Sequence, residues 1–243
     1  MVVRRHTGRV VAVLAAASLV GAAAVGCSSG GGADAGSDAA VSAFTVKSPP
    51  GAAVLSGLPA AVVGSKIVVG DAKAPHTVTV YVDPRCPYCQ KFEEGGATAL
   101  ADLAAAGKVK VEYQIASFLD GKLGGSGSVK AANALRASVD GGKGMFARFQ
   151  AALFASQPGE ETDGFTDANL LKLADSVPGL RTPAFEKAVK DTTHRDFVAR
   201  SEKDFEAKAS GTPTVLLDGK QVKDGALYER AAFTAALKAA GIG

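Results

Sequence analysis

The chain has 243 residues, with 27 lysines and arginines against 24 aspartates and glutamates. Its first 26 residues carry Arg4, Arg5 and Arg9 and no acid, leaving 24 basic against 24 acidic side chains in the rest. That balance excludes a basic nucleic-acid surface, and about 217 residues suffice for one domain with a large insertion or two small ones.

Residues 1–26 read as an export signal: a basic start, then an apolar stretch over residues 10–25 too short for a comfortable membrane span. The stretch ends Ala24-Val25-Gly26-Cys27, which resembles a bacterial lipoprotein box with Cys27 as the acylated residue. Ala24 stands where Leu is more usual, and Arg4-Arg5 is a weak twin-arginine match. Ordinary signal cleavage and an uncleaved anchor are the alternatives. Each of them puts the folded part outside the cytoplasm, and acylation adds a membrane anchor on the outer face.

Residues 28–42 are rich in Gly, Ala, Ser and Asp and form a flexible tether. Residues 47–64 carry Pro49, Pro50 and Pro59 and extend the linker along the surface. Order is expected to begin with a short strand over residues 66–69, and the spacing of Val78, Val80 and Val82 predicts a second strand over residues 77–82. A helix is expected over residues 90–106, with Phe92, Leu100 and Leu103 sharing a side, followed by an alternating strand over residues 109–115. Residues 121–128 are a glycine-rich connector without Walker spacing. From residue 129 to about 208 the pattern is helical, punctuated by Pro158, Gly164, Pro178 and Pro183. A strand returns at residues 214–217, Asp218-Gly219 signals a hairpin, and residues 228–240 close with a helix.

Between the second strand and the first helix lies Cys86-Pro87-Tyr88-Cys89. Two cysteines at this spacing open and close a small disulfide with little movement elsewhere. A helix N-terminus beside the first sulfur supplies partial positive charge and free N–H donors, which favour the thiolate. A structural disulfide is disfavoured because so short a loop removes little unfolded-state entropy. A structural zinc site lacks ligands: the other cysteine is Cys27, and the histidines are His6, His76 and His194. The motif therefore reads as a redox site, with no metal and no cofactor. Apart from Cys27 the only cysteines are Cys86 and Cys89, which suits an enzyme acting on other proteins' thiols.

The order strand, strand, site helix, strand, helical block, then Gly211-Thr212-Pro213-Thr214 opening a strand, a hairpin and a helix resembles the thioredoxin fold with an inserted α-helical domain. Within that α/β class the chain resembles the DsbA-like thiol–disulfide oxidoreductases over residues 65–243. The expected layout is a signal peptide (1–26), anchor tether and linker (27–64), first thioredoxin part with the site (65–120), helical insertion (121–208) and second thioredoxin part (209–243). The resemblance implies that Pro213 is cis and that Thr212 offers its backbone to an extended substrate. An ordinary trans proline at a strand start is the alternative. It further implies Cys86 as nucleophile, Cys89 as resolving thiol, a redox-active Cys86–Cys89 disulfide, and tuning by Pro87 and Tyr88.

Many relatives carry a Glu as proton relay on the strand before the site; a gap-free match puts Val80 there and leaves Asp83 as the nearest acid. Lys91 is expected as a solvated helix lysine, Glu93 and Glu94 as first-turn residues without a catalytic role, and His194 at the surface. The expected activity is oxidation of cysteine pairs in exported proteins by a monomer, re-oxidised by a membrane thiol oxidoreductase. A reductase or isomerase of the same fold and a non-enzymatic binding lipoprotein are the alternatives.

Overall fold

The computed structural model describes residues 44–49 and 55–243. Six strands form one sheet: β1 (Ala60–Val63), β2 (Lys66–Val69), β3 (His76–Val82), β4 (Val109–Ile115), β5 (Thr214–Leu217) and β6 (Lys220–Gln221), in the order β1-β2-β4-β3-β5-β6. β3 and β4 run parallel and every other pairing is antiparallel. The two central strands are covered on both faces, as parallel pairs require. On one face Val78, Val80 and Val82 join a core with Phe92 of α1 (Pro87–Glu94) and Phe233 of α9 (Arg230–Ala239), whose rings meet edge-on at 5.5 Å. On the other, Tyr81 packs against Phe205 of α8 (Arg195–Lys208).

Between β4 and β5 lies the helical block: α3 (Leu119–Leu123), α4 (Gly127–Val139), α5 (Met145–Ala155), α6 (Asp167–Asp175), α7 (Pro183–Lys190) and α8. Thr166 and Thr182 cap α6 and α7, each hydroxyl accepting from the backbone N–H three residues on. Phe146, Phe149, Leu153 and Leu170 of the block share one apolar core with the sheet, so the insertion is not a separately packed lobe.

Four expectations about elements change. The helix expected over residues 90–106 is two helices, α1 and α2 (Leu100–Ala105), joined by a 3₁₀ turn at Gly96–Ala99. The break is enforced by close backbone approach: a Cβ on Gly95 would lie 2.0 Å from the Tyr228 carbonyl oxygen, and one on Gly96 1.9 Å from that of Leu227. The stretch expected as a glycine-rich connector holds α3 and the start of α4. The linker stretch contains strand β1, which hairpins onto β2 through Gly64 at φ +62°. Residues 44–49 also pack on the block, where the Lys47 N–H donates to Ser156 Oγ and the Phe44 ring meets Phe165. The last helix begins at Arg230 rather than at Tyr228.

Candidate active site

β3 ends at Val82, and a tight turn carries the chain through Asp83-Pro84-Arg85 into Cys86, the N-cap of α1. A cap residue normally accepts an N2 or N3 N–H through a side-chain oxygen. Here sulfur occupies that place beside the N–H groups of Tyr88 and Cys89; it accepts no capping hydrogen bond in the dithiol form, and Pro87 at N1 has no N–H to satisfy. Both thiols are unbonded, so this is the dithiol form. Cys86 Sγ donates to the Thr212 carbonyl at 3.3 Å, across 126 positions of chain, and the Thr212–Pro213 peptide is cis.

The two sulfurs are electrostatically unlike. The Cys89 S–H donating to it lowers the Cys86 thiol to about 6; the Thr212 side chain and the two backbone N–H groups act in the same direction, and burial opposes them. Burial pushes Cys89, which is completely enclosed, well above the ordinary thiol range, and the adjacent Cys86 adds to that. Tyr88 is 53% exposed, its ring 5.9 Å from that of Tyr228. Lys91 Nζ lies 4.8 Å over the Tyr88 ring, so this exposed lysine covers a motif residue.

The residues just before the nucleophile are buried and polar. Asp83 Oδ1 accepts from the Arg85 N–H (2.9 Å) and Ser128 Oγ (2.6 Å), and Oδ2 from the Leu119 N–H (3.1 Å). Burial pushes its carboxyl up to about 7, against the pull of these donors. Asp83 is thus a brace between the turn and the insertion. Arg85 is 2% exposed; its guanidinium donates to Asp120 Oδ1 (2.9 Å), Gly124 O (2.6 Å) and Glu160 O (3.1 Å). Gln157, just past α5, donates through Nε2 to the Pro84 carbonyl (2.6 Å) and the Cys86 carbonyl (3.0 Å).

The predicted residues Cys86, Pro87, Tyr88, Cys89, Thr212 and Pro213 come together at one end of β3 and β5. Cys27 lies outside the described residues. Arg85 and Gln157 escaped the sequence reading: a charged residue beside the motif was a usable signal for Arg85, and nothing local marks Gln157. Glu93, expected only to suit the first helical turn, has Oε1 enclosed between Gln150 and Tyr113. His194, expected at the surface, is half-buried; its backbone N–H donates to Asn133 Oδ1 at 2.9 Å, and burial holds its imidazole below the ordinary range. Val80, where a relay acid was sought, pairs with Tyr113 in the β3–β4 ladder. Among the described residues no cluster of three or more His, Cys, Asp or Glu is placed to hold a metal, and no helix is long and apolar enough to cross a membrane.

A family profile described as Thioredoxin matches residues 63–239, spanning the sheet, the motif and the insertion. The chain belongs to the thioredoxin family. Within this family its likeness is to the DsbA-like branch. It is 28% identical over 188 residues to Disulfide bond formation protein D of Bacillus subtilis, covering 75% of this chain and 80% of that one. The solved thiol–disulfide oxidoreductase MdbA of Corynebacterium matruchotii superposes with a TM-score of 0.59 at 26% identity, covering 74% of this chain and 91% of that one. Serine/threonine-protein kinase PknE of Mycobacterium tuberculosis is 30% identical over 171 residues, 66% of this chain. The chain spans only 30% of that kinase's length. Two of these neighbours are thus named for disulfide formation and for thiol–disulfide oxidoreduction.

Proposed function

We propose that this protein is an extracytoplasmic thiol–disulfide oxidoreductase that introduces disulfides into exported proteins. The observation that carries the reading is the asymmetry of the pair: Cys86 is a helix N-cap with a stabilised thiolate, and Cys89 is an enclosed thiol held protonated. In the oxidised enzyme a substrate thiolate attacks Cys86 Sγ; the Cys86–Cys89 bond breaks, and Cys89 leaves with the electron pair and takes a proton. A second substrate thiolate attacks the mixed disulfide, and Cys86 leaves as its stabilised thiolate. The substrate has lost two electrons and the enzyme has gained them. A membrane thiol oxidoreductase then removes them.

Thr212 takes the role of substrate-pairing residue. Its carbonyl accepts from the Cys86 thiol in the dithiol form; without that thiol proton it can accept from an extended peptide, in the manner of an added β-strand. Pro87 and Tyr88 shape the helix start, and acylation at Cys27 would tether the domain to the outer face of the membrane. The resemblance to a protein named for disulfide bond formation supports the oxidising direction. So does the physics, because a stabilised thiolate favours the dithiol over the disulfide and makes the disulfide the stronger oxidant.

The test pairs trapping with thermal melts. Cys89→Ala should accumulate mixed disulfides with exported proteins, and Cys86→Ala should not; equal trapping would overturn the role assignment. The dithiol form should melt higher than the Cys86–Cys89 disulfide form, opposite to a structural disulfide. A higher melting point for the disulfide form would turn the assignment to a reductase.

A further inference from the structure

We propose that Gln157 is a positioning residue for the dithiol: by holding the carbonyls of Pro84 and Cys86 it fixes the N-cap turn that aims the first N–H groups of α1 at the reactive sulfur. This rests on the thiol–disulfide reading above and adds to it a residue supplied by the helical insertion.

The geometry is specific. A primary amide has two N–H donors on one nitrogen, and Gln157 spends both on the carbonyls on either side of Arg85, at 2.6 and 3.0 Å. The Cys86 carbonyl also accepts the first bonds of α1, from the N–H groups of Cys89 (3.0 Å) and Gln90 (3.3 Å). Gln157 therefore grips the same oxygen on which the first turn is built. It can do so because α5 ends at Ala155, and the chain, turning toward Pro158, carries residue 157 to the motif. On the far side, the Arg85 guanidinium is anchored to Asp120, Gly124 and Glu160 of the same insertion. The nucleophile's peptide is thus clamped from the insertion through both a side chain and a backbone.

The consequence for chemistry runs through direction. The Cys86 thiolate is favoured first by the Cys89 S–H and further by the backbone N–H groups of Tyr88 and Cys89, and such donors lose strength steeply as they swing off line. A turn released at Pro84 and Cys86 can rotate those donors away from Sγ and its carbonyl dipoles toward it. Gln157 acts at a distance from the sulfur, so it is not a catalytic residue; it keeps the donors pointed.

The experiment measures the thiol rather than turnover. In full-length protein kept reduced, alkylation of Cys86 by iodoacetamide is followed against pH by peptide mass, for wild type, Gln157→Met and Gln157→Glu. Methionine keeps the length without donors, and glutamate keeps the shape but sets an acceptor against two carbonyls. The midpoint should rise from about 6 by roughly one unit in Gln157→Met, a tenfold loss of thiolate at low pH, and further in Gln157→Glu. In glutathione buffers the dithiol–disulfide equilibrium should shift about fivefold toward the disulfide at pH 7, approaching tenfold at higher pH, which is about 30 mV for a two-electron couple. The dithiol form should also lose more melting temperature than the disulfide form. Should Gln157→Met fold poorly, Gln157→Asn keeps the amide one methylene short and must show the same midpoint shift. Unchanged midpoint and equilibrium, with equal melting losses in both redox forms, would make Gln157 a packing residue and overturn the proposal. A wild-type midpoint near the ordinary ~8.5 would instead remove the thiol–disulfide reading itself, and it is read before any variant is made.

Discussion

Glu93 shows what the core does to a charge one turn beyond the dithiol. Its side chain leaves α1 toward Tyr113 of β4 and Gln150 of α5, and Oε1 is shut away from water. Burial pushes the carboxyl from 4.5 up to about 8, with Gln150 and Tyr113 pulling the other way. At pH 7 the folded protein therefore holds a proton that the unfolded chain releases. The contribution is fully present below the unfolded value, is lost as pH rises toward the folded value, and levels off above it. At about 1.4 kcal/mol per unit, the loss reaches about 3 kcal/mol by pH 7. Glu93→Gln keeps the shape and has nothing to titrate. The variant's advantage in unfolding free energy should grow by roughly 4 kcal/mol between pH 5 and 8.5. The chain has no tryptophan, so urea unfolding of the reduced protein is best followed by far-ultraviolet circular dichroism. Asp83, Cys86 and His194 also titrate abnormally, but they are present in both proteins and cancel in the difference. A constant offset across this pH range would mean that the carboxylate reaches water, and would refute the reasoning.

Two further outcomes can be checked directly. Arg85→Met leaves the Asp120 carboxylate and the Gly124 and Glu160 carbonyls without their guanidinium, and should cost about 3–5 kcal/mol in denaturant unfolding, the usual result of breaking a buried pair; a loss below about 1 kcal/mol, the scale of a surface pair, would show the pair to be effectively solvated. Cys27→Ala should leave the precursor unprocessed by the lipoprotein route or release a soluble form, and unchanged membrane partition and mobility would rule acylation out.

The parts of the site that were legible in the chain are those written locally. The run of Val78, Val80 and Val82, the four-residue motif and the Thr212-Pro213 strand start each declare themselves within a few positions, and their joint order is what carries the family resemblance. The break in the site helix was also written locally, as Gly95-Gly96, but its cause is the backbone of Leu227 and Tyr228 arriving from the other end of the chain. Strand β1 had a usable signal as well: four small or branched apolar residues, then Gly64-Ser65, then a second apolar run. Pro59 weighed too heavily against it, since a proline just before an edge strand interrupts no ladder. Glu in an early helical turn is ordinarily solvated, and only tertiary packing of α5 over α1 encloses Glu93 Oε1. Gln157 lies 71 positions from Cys86 with no motif of its own. Hydrogen bonds of that span have no sequence periodicity to reveal them.

These long-range contacts explain why the helical block belongs to the site rather than beside it. The sulfur of Cys86 faces Thr212, which follows the block in sequence, while the backbone of Cys86 is held by Gln157 from inside it. Asp83 and Arg85, on either side of Pro84, are buried ionisable groups that a short strand-to-helix turn has too few donors and acceptors to satisfy. Ser128 and Leu119 supply the donors for one; Asp120, Gly124 and Glu160 supply acceptors for the terminal nitrogens of the other, with Arg85 Nε alone left without one. A buried polar network of this kind is tolerable only when its members are partnered, and then it is rigid. Rigidity is what this N-cap thiolate needs, since its stabilisation comes from the Cys89 S–H and a few backbone N–H groups whose value depends on where they point. The insertion thus contributes to the dithiol through the backbone geometry of the turn, while the sulfur, on a residue only 6% exposed, keeps its own contact with the Thr212 carbonyl.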